Sequence, residues 1–262
     1  MECWEQVLPQ AIRRKRPRTQ LRQYRAAVAP VGRGNRRNAV AEKPAAPTTE
    51  RGNRTREHLK EATARVLERV GYRAMRLADI AAEANVTVSL FYHYFSSKAD
   101  ITHEILAELL DRNIAQTKIS RPANRDPFDT IVNANIVSVE LYASAPGLMR
   151  CLLHFDEEAT EFSKLYRRVS LDWNRRVAGD LARRCPGSSL TEEQRLMVAY
   201  SLGAMLDNFL FEMYVDRNPL LLQAFRDTRE VALFLAILWY RQIYLSNPPA
   251  EKLGRFRGFV EG

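Results

Sequence analysis

The sequence predicts an all-α fold of about nine helices, a three-helix N-terminal unit followed by a larger helical domain. Three observations predict it. From Arg51 to Leu245 the apolar residues recur with a 3.6-residue period, and no run alternates as a half-buried strand would. Helix-starting and helix-stopping residues punctuate that pattern. Hydrophobic residues make up 46% of the 262, enough to bury a sizeable core.

Each element follows from its residues. Thr55 is the expected N-cap of the first helix, with Leu59, Ala62, Val66, Leu67 and Val70 on one face and Gly71 closing it. A short second helix covers residues 77–84, with Ile80, Ala81 and Ala84 inward. Asn85 follows where the chain needs a positive φ, which Asn tolerates better than most residues. Thr87 caps a third helix over residues 88–95, with Phe91 and Phe95 inward. Ser96 and Ser97 cap a fourth, carrying Ile101, Ile105 and Leu109.

The second segment starts at Asp126-Pro127, a capping carboxylate followed by Pro at the first helical position. That helix runs to Ala145-Pro146-Gly147, and a short one over residues 148–154 follows. A long helix over residues 157–184 ends at Pro186-Gly187. Thr191 and Gln194 form a capping box for a helix to about residue 215, apolar nearly all round, which Asn218-Pro219 stops. The last helix covers about residues 221–245.

Charge is distributed unevenly. Residues 1–50 hold 11 basic and 4 acidic side chains, residues 51–100 hold 9 and 6, and residues 101–262 hold 20 and 21. The first hundred residues therefore carry +10 and the remainder −1, for a net charge of +9, which points to an anionic partner at the N-terminal end. The organisation expected is a disordered basic arm (1–50), a helix-turn-helix domain (51–98), a helical regulatory and dimerisation domain (99–245) and a C-terminal tail (246–262). The arm has two readings: a phosphate-gripping extension, or a passenger upstream of the true start.

Other classes are excluded by what is missing. Cys3, Cys151 and Cys185 are too few and too scattered for a disulfide framework or a metal motif. The longest apolar run, residues 231–240, is ten residues, against about 20 for a membrane span. No apolar h-region follows the N-terminus, so no signal peptide is expected. There is no phosphate loop, HExxH or nucleophile elbow, and the protein is expected to be a cytoplasmic non-enzyme without cofactor or metal. Glu157-Glu158 reads as a helix first turn complementing the dipole.

The third helix carries the functional signal. Leu90-Phe91-Tyr92-His93-Tyr94-Phe95 is almost wholly aromatic, yet one helix face can bury only about half of it. With Phe91 and Phe95 inward, Val88, Ser89, Tyr92 and His93 project outward, where phenol, hydroxyl and imidazole groups meet phosphates and base edges. Only Asn85-Val86-Thr87 separates this helix from the second, the tight turn of a helix-turn-helix.

These residues resemble the TetR/AcrR family of one-component transcriptional regulators. The resemblance rests on Gly71-Tyr72, Ile80-Ala81, the run from Val86 to Phe95, and Ser97-Lys98, and it covers about residues 51–105. It implies that Thr87 bonds a phosphate, that Val88, Ser89 and His93 face the major groove, that Tyr92 presses on the backbone, and that Lys98 holds a phosphate. Where the family often has Thr and Arg, this chain has Met75-Arg76 and Ala78; Arg76 then becomes the substitute phosphate ligand. Leu90 stands where the family has a small polar residue.

The resemblance further implies a homodimer through the last two helices on a palindromic operator in double-stranded DNA, and a small-molecule effector in the C-terminal domain. Polar residues on otherwise apolar helices are the candidate effector ligands: Asn135, Tyr142, His154, Trp173, Asp207 and Asn208. The aromatic residues around them point to an apolar or aromatic effector. A ligand-responsive repressor is the expected function; a dimeric DNA-binding regulator or activator that senses nothing is the other reading.

Overall fold

Thr49, not Thr55, starts the first helix. In the computed structural model, which describes residues 47–119, 126–153, 160–185 and 187–260, the Thr49 side chain accepts from the Gly52 N–H at 3.1 Å. The Thr55 hydroxyl instead donates back to the Arg51 carbonyl inside the helix, at 3.0 Å. Helix α1 spans Glu50–Ala74 and is broken at Gly71 (φ 75°, ψ 161°), a conformation glycine alone adopts freely. The expected basic arm lies almost wholly outside the described residues.

Helices α2 (Leu77–Glu83) and α3 (Val88–Tyr94) complete the three-helix unit. Between them Asn85 takes φ 51°, the left-handed geometry the tight turn requires. Thr87 caps α3 by accepting from the Leu90 N–H at 3.1 Å. Phe91 and Phe95 are buried against Leu59, Ala62, Val66 and Ile80, so the inward face read from the sequence is the inward face of the fold. Helix α4 (Lys98–Ile119) is capped by the Ser97 hydroxyl, which accepts from the Asp100 N–H, while Asp100 accepts from the Ser96 N–H.

The larger domain comprises α5 (Pro127–Ser144), α6 (Pro146–Leu153), α7 (Thr160–Arg184), α8 (Glu192–Leu210), α9 (Pro219–Ala224) and α10 (Thr228–Tyr244). Asp126 caps α5 by accepting from the Phe128 and Asp129 N–H groups. Thr191 and Gln194 cap α8 reciprocally, at 2.8 and 3.2 Å. Two features differ from the sequence expectation. The long apolar helix stops being α-helical at Leu210 and continues as a π-helical turn, Phe211–Val215. The last helix is two: Asn218 caps α9, and Asp227 caps α10 by accepting from the Glu230 N–H at 2.8 Å. The apolar period pauses after Phe225 for five polar residues, 226–230, a local signal of the Asp227 cap that the reading of one continuous helix passed over.

Helix α10 packs along α5, and α7 along α8. After α10, two 3-10 helices, Ala250–Lys252 and Gly254–Phe259, fold back. Leu253 and Phe256 are buried there with Phe128, Ala236 and Ile237, and Phe225, Phe234, Phe256 and Phe259 form an aromatic cluster with centroids 5.5–6.0 Å apart. No single helix among the described residues is long and apolar enough to cross a membrane.

Candidate DNA interface and effector cavity

Helix α3 exposes one coherent face. Thr87, Val88, Ser89, Tyr92 and His93 are all exposed, and Phe91 between them is fully buried. Tyr92 is 52% exposed, and its ring meets Phe91 edge-on at 5.8 Å. The His93 ring meets Tyr94 edge-on at 5.3 Å. The Thr87 oxygen accepts from Leu90, and its own O–H remains available to donate. Leu90 is exposed too, a residue the sequence reading assigned no contact. Arg76 is exposed at the start of α2, where its backbone N–H donates to Asp79 at 3.0 Å.

Lys98 is placed differently from its neighbours. Its ammonium donates to the Tyr72 and Met75 carbonyls, both at 3.1 Å, and lies 4.7 Å from the Tyr72 ring. It ties the start of α4 to the turn after α1, and any phosphate contact would have to share those donors.

Charged pairs hold this domain together. Arg65 and Arg69 both bind Glu83, joining α1 to α2. Arg56 pairs with Glu104 and lies over the Phe95 ring, and Lys60 binds both Glu57 and Glu108. Lys60 is only 6% exposed. Burial works against its ammonium, but the hydrogen bonds to Glu108 and Glu57 outweigh it and hold the pKa above the ordinary lysine value. Helices α1 and α4 are therefore clamped where the domain meets the connecting helix.

The larger domain contains a cavity of about 260 Å³ walled by α4, α5, α6, α7 and α8. Three of the six candidate effector ligands line it: Tyr142, Trp173 and Asp207. Asp207 is the hub. Its two carboxylate oxygens accept from the Tyr142 hydroxyl at 2.8 Å and the Tyr166 hydroxyl at 2.9 Å. Burial raises the Asp207 pKa against the opposing effect of the two phenols, and burial together with the carboxylate raises those of both tyrosines. Asn135 sits elsewhere, on a smaller cavity of about 60 Å³, with its amide directed at the Ala232 carbonyl. Asn208 is exposed and lines neither cavity. His154 lies outside the described residues, as do Glu157 and Glu158.

Tyr166, Ser170 and Asn174 line the cavity and were not singled out from the sequence. Their spacing was the available signal: three polar residues four apart form one stripe on α7. Among the described residues no cluster of His, Cys, Asp and Glu could hold a metal ion.

Several contacts join the two regions, among them the Tyr72 ring of α1 edge-on to Phe162 of α7 at 5.2 Å. Glu68, on α1, caps the N-terminus of α6: its carboxylate accepts from the Gly147 N–H at 2.7 Å and the Leu148 N–H at 3.2 Å. A Cβ at residue 147 would come within 3.0 Å of the Glu68 backbone, so glycine permits the approach. Met149 and Leu152, one turn further along α6, line the cavity.

Residues 59–105 match the family model of bacterial regulatory proteins, tetR family. The chain is 26% identical over 155 residues to the HTH-type transcriptional regulator BetI of Vibrio parahaemolyticus, covering 57% of this chain and 75% of that protein. It is also 26% identical over 172 residues to BetI of Agrobacterium fabrum, covering 63% and 79%. Among solved structures, the fatty acid degradation regulator FadR of Bacillus halodurans superposes with a TM-score of 0.58 at 14% identity, over 72% of this chain and 94% of that one. A Pseudomonas aeruginosa transcriptional regulator gives 0.58 at 18% identity, over 81% and 96%. FadR of Bacillus subtilis, solved in complex with stearoyl-CoA, gives 0.55 at 14%, over 70% and 96%. The structures share the fold. The tetR-family match over residues 59–105 and the similarity to the BetI regulators support a DNA-binding transcriptional regulator similar to those of the tetR family.

Proposed function

We propose that this regulator is a ligand-responsive repressor that binds a palindromic operator as a homodimer, in the cytoplasm where the DNA lies. The observation that carries the reading is the continuous path from the exposed α3 face, through α1 and Glu68, to helix α6 and the cavity behind it. A ligand that enlarges the cavity pushes on Met149 and Leu152, moves the N-terminus of α6, and with it the Glu68 end of α1. The two states need differ by only about 1–3 kcal/mol in ligand affinity. FadR in complex with stearoyl-CoA supports the capacity of this fold to hold a small molecule.

On DNA, Val88, Ser89 and His93 read the major groove, while Thr87, Tyr92 and Arg76 contact the backbone, and Lys98 contributes to the extent that its two carbonyls release it. Helix α8 offers the dimer face: Met197 is 63% exposed, and Ser201 and Asn208 are exposed too, while Ala199, Leu202, Leu206 and Leu210 are packed into the core. Helix α10 adds less, since its apolar side chains are covered within the chain. Two-fold symmetry then sets the α3 helices about 34–36 Å apart, one turn of DNA. Residues 1–50 act as a basic arm that adds affinity through counterion release.

Gel shifts over the DNA upstream of the protein's own gene test this reading. Specific binding that a cavity ligand releases is the expected result; no specific binding in either state would end it.

A further inference from the structure

We propose that the effector cavity takes a small organic cation, an amine carrying an apolar body. The proposal rests on the repressor reading for its biological meaning, and on the cavity alone for its chemistry. Asp207 brings a carboxylate to the cavity wall, and no Lys, Arg or His is among the described residues that line the cavity. Its two oxygens each accept one phenol hydrogen bond, leaving about half of its acceptor sites unused. A carboxylate so placed lacks a counter-charge, which is costly unless something supplies one.

A second observation is independent of Asp207. Asn174 is 2% exposed, and its Oδ1 has no hydrogen-bond partner among the described residues. The amide cannot simply be turned over, because its Nδ2 donates to the Ser170 carbonyl at 2.8 Å. That oxygen is enclosed behind the cavity wall, and a small shift of the side chain would let it accept from an occupant. Donor hydrogens and positive charge are both properties of an ammonium group. Trp173, Tyr166 and Tyr200 line the same cavity, and aromatic rings attract cations. The volume, about 260 Å³, limits the body to something small. A carboxylate or phosphate ligand would meet Asp207 with like charge.

The test uses three probes with one body: 2-phenylethylammonium, 2-phenylethanol and 3-phenylpropanoate, titrated calorimetrically into the full chain. The ammonium should bind about tenfold or more tighter than the alcohol, as a charged hydrogen bond implies, and the carboxylate should bind weakest. Asp207→Asn keeps the shape and both tyrosine partners, and should erase the gap between ammonium and alcohol. An alcohol or carboxylate that binds as tightly as the ammonium overturns the proposal, as does a gap that survives in Asp207→Asn or a failure of all three to bind. The wild-type comparison stands even if the variant misfolds. Operator binding is scored separately: cations that bind yet never alter DNA affinity support the cation site and sink the ligand-responsive reading.

Discussion

Helices α3 and α8 pose the same problem and solve it differently. Each carries more apolar surface than one face can bury. In α3 the surplus is turned outward as an aromatic and polar face around a buried Phe91. In α8 it is divided: Leu202, Leu206 and Leu210 go into the core, Tyr200 and Asp207 go to the cavity, and Met197 remains exposed. A short helix can present only one working surface. A helix of five turns can present three, and α8 serves the core, the cavity and the proposed partner subunit at once.

The largest expected effect tests the inward side of α3. Phe91→Ala should cost about 3–5 kcal/mol through the cavity it leaves, read as a lower unfolding midpoint and lost operator binding. A small loss would mean that α3 is not anchored by its aromatic core. The next tests the outward side of α8. Met197→Glu places a charge in the proposed interface on each subunit, and a shift of about 3 kcal/mol toward monomer is expected in sedimentation equilibrium. An unchanged dimer would move the interface elsewhere.

A smaller effect concerns the link between the regions. Glu68→Gln keeps the side-chain shape but removes the charge and one of the two acceptors that cap α6. It should weaken ligand-induced release from DNA by about 1 kcal/mol of coupling, while DNA affinity without ligand stays close to wild type. Equal response in both proteins would route the signal past Glu68. The smallest effect is a pH trend. Burial raises the Asp207 pKa, so the folded protein holds that proton to higher pH than the unfolded chain. The group's contribution to stability is full below the ordinary Asp pKa and is lost as pH rises toward the folded value. Asp207→Asn lacks that loss, so denaturant titrations should show it gaining on wild type as pH rises above the ordinary Asp pKa. A constant difference would show that the carboxyl ionises as freely in the fold as out of it.

Much of the N-terminal unit was readable in advance. Thr87, Asn85 and the Phe91/Phe95 pair act within a few residues of their own positions, so their local chemistry settles the turn and the inward face. The misplaced cap at Thr55 shows the limit even there: several residues could start α1, and the Thr49 bond to Gly52 won. In the larger domain Asp126 and the Thr191–Gln194 box were legible, and so was the break before Asp227, where five polar residues separate Phe225 from Val231, although one long helix was read across it.

The sequence by itself determined where most helices start and stop and which face of α3 is free, because caps, positive-φ residues and periodicity are local properties. Only the tertiary structure decided what the polar residues of the larger domain do. Asp207 meets partners 41 and 65 residues away, and Glu68 meets groups 79 and 80 residues away. Nothing in the neighbourhood of any of these residues distinguishes a carboxylate aimed into a cavity from one left in solvent. Packing five helices around a common space makes that distinction, and it placed Tyr142, Trp173 and Asp207 on one wall while leaving Asn208, one residue on, outside it.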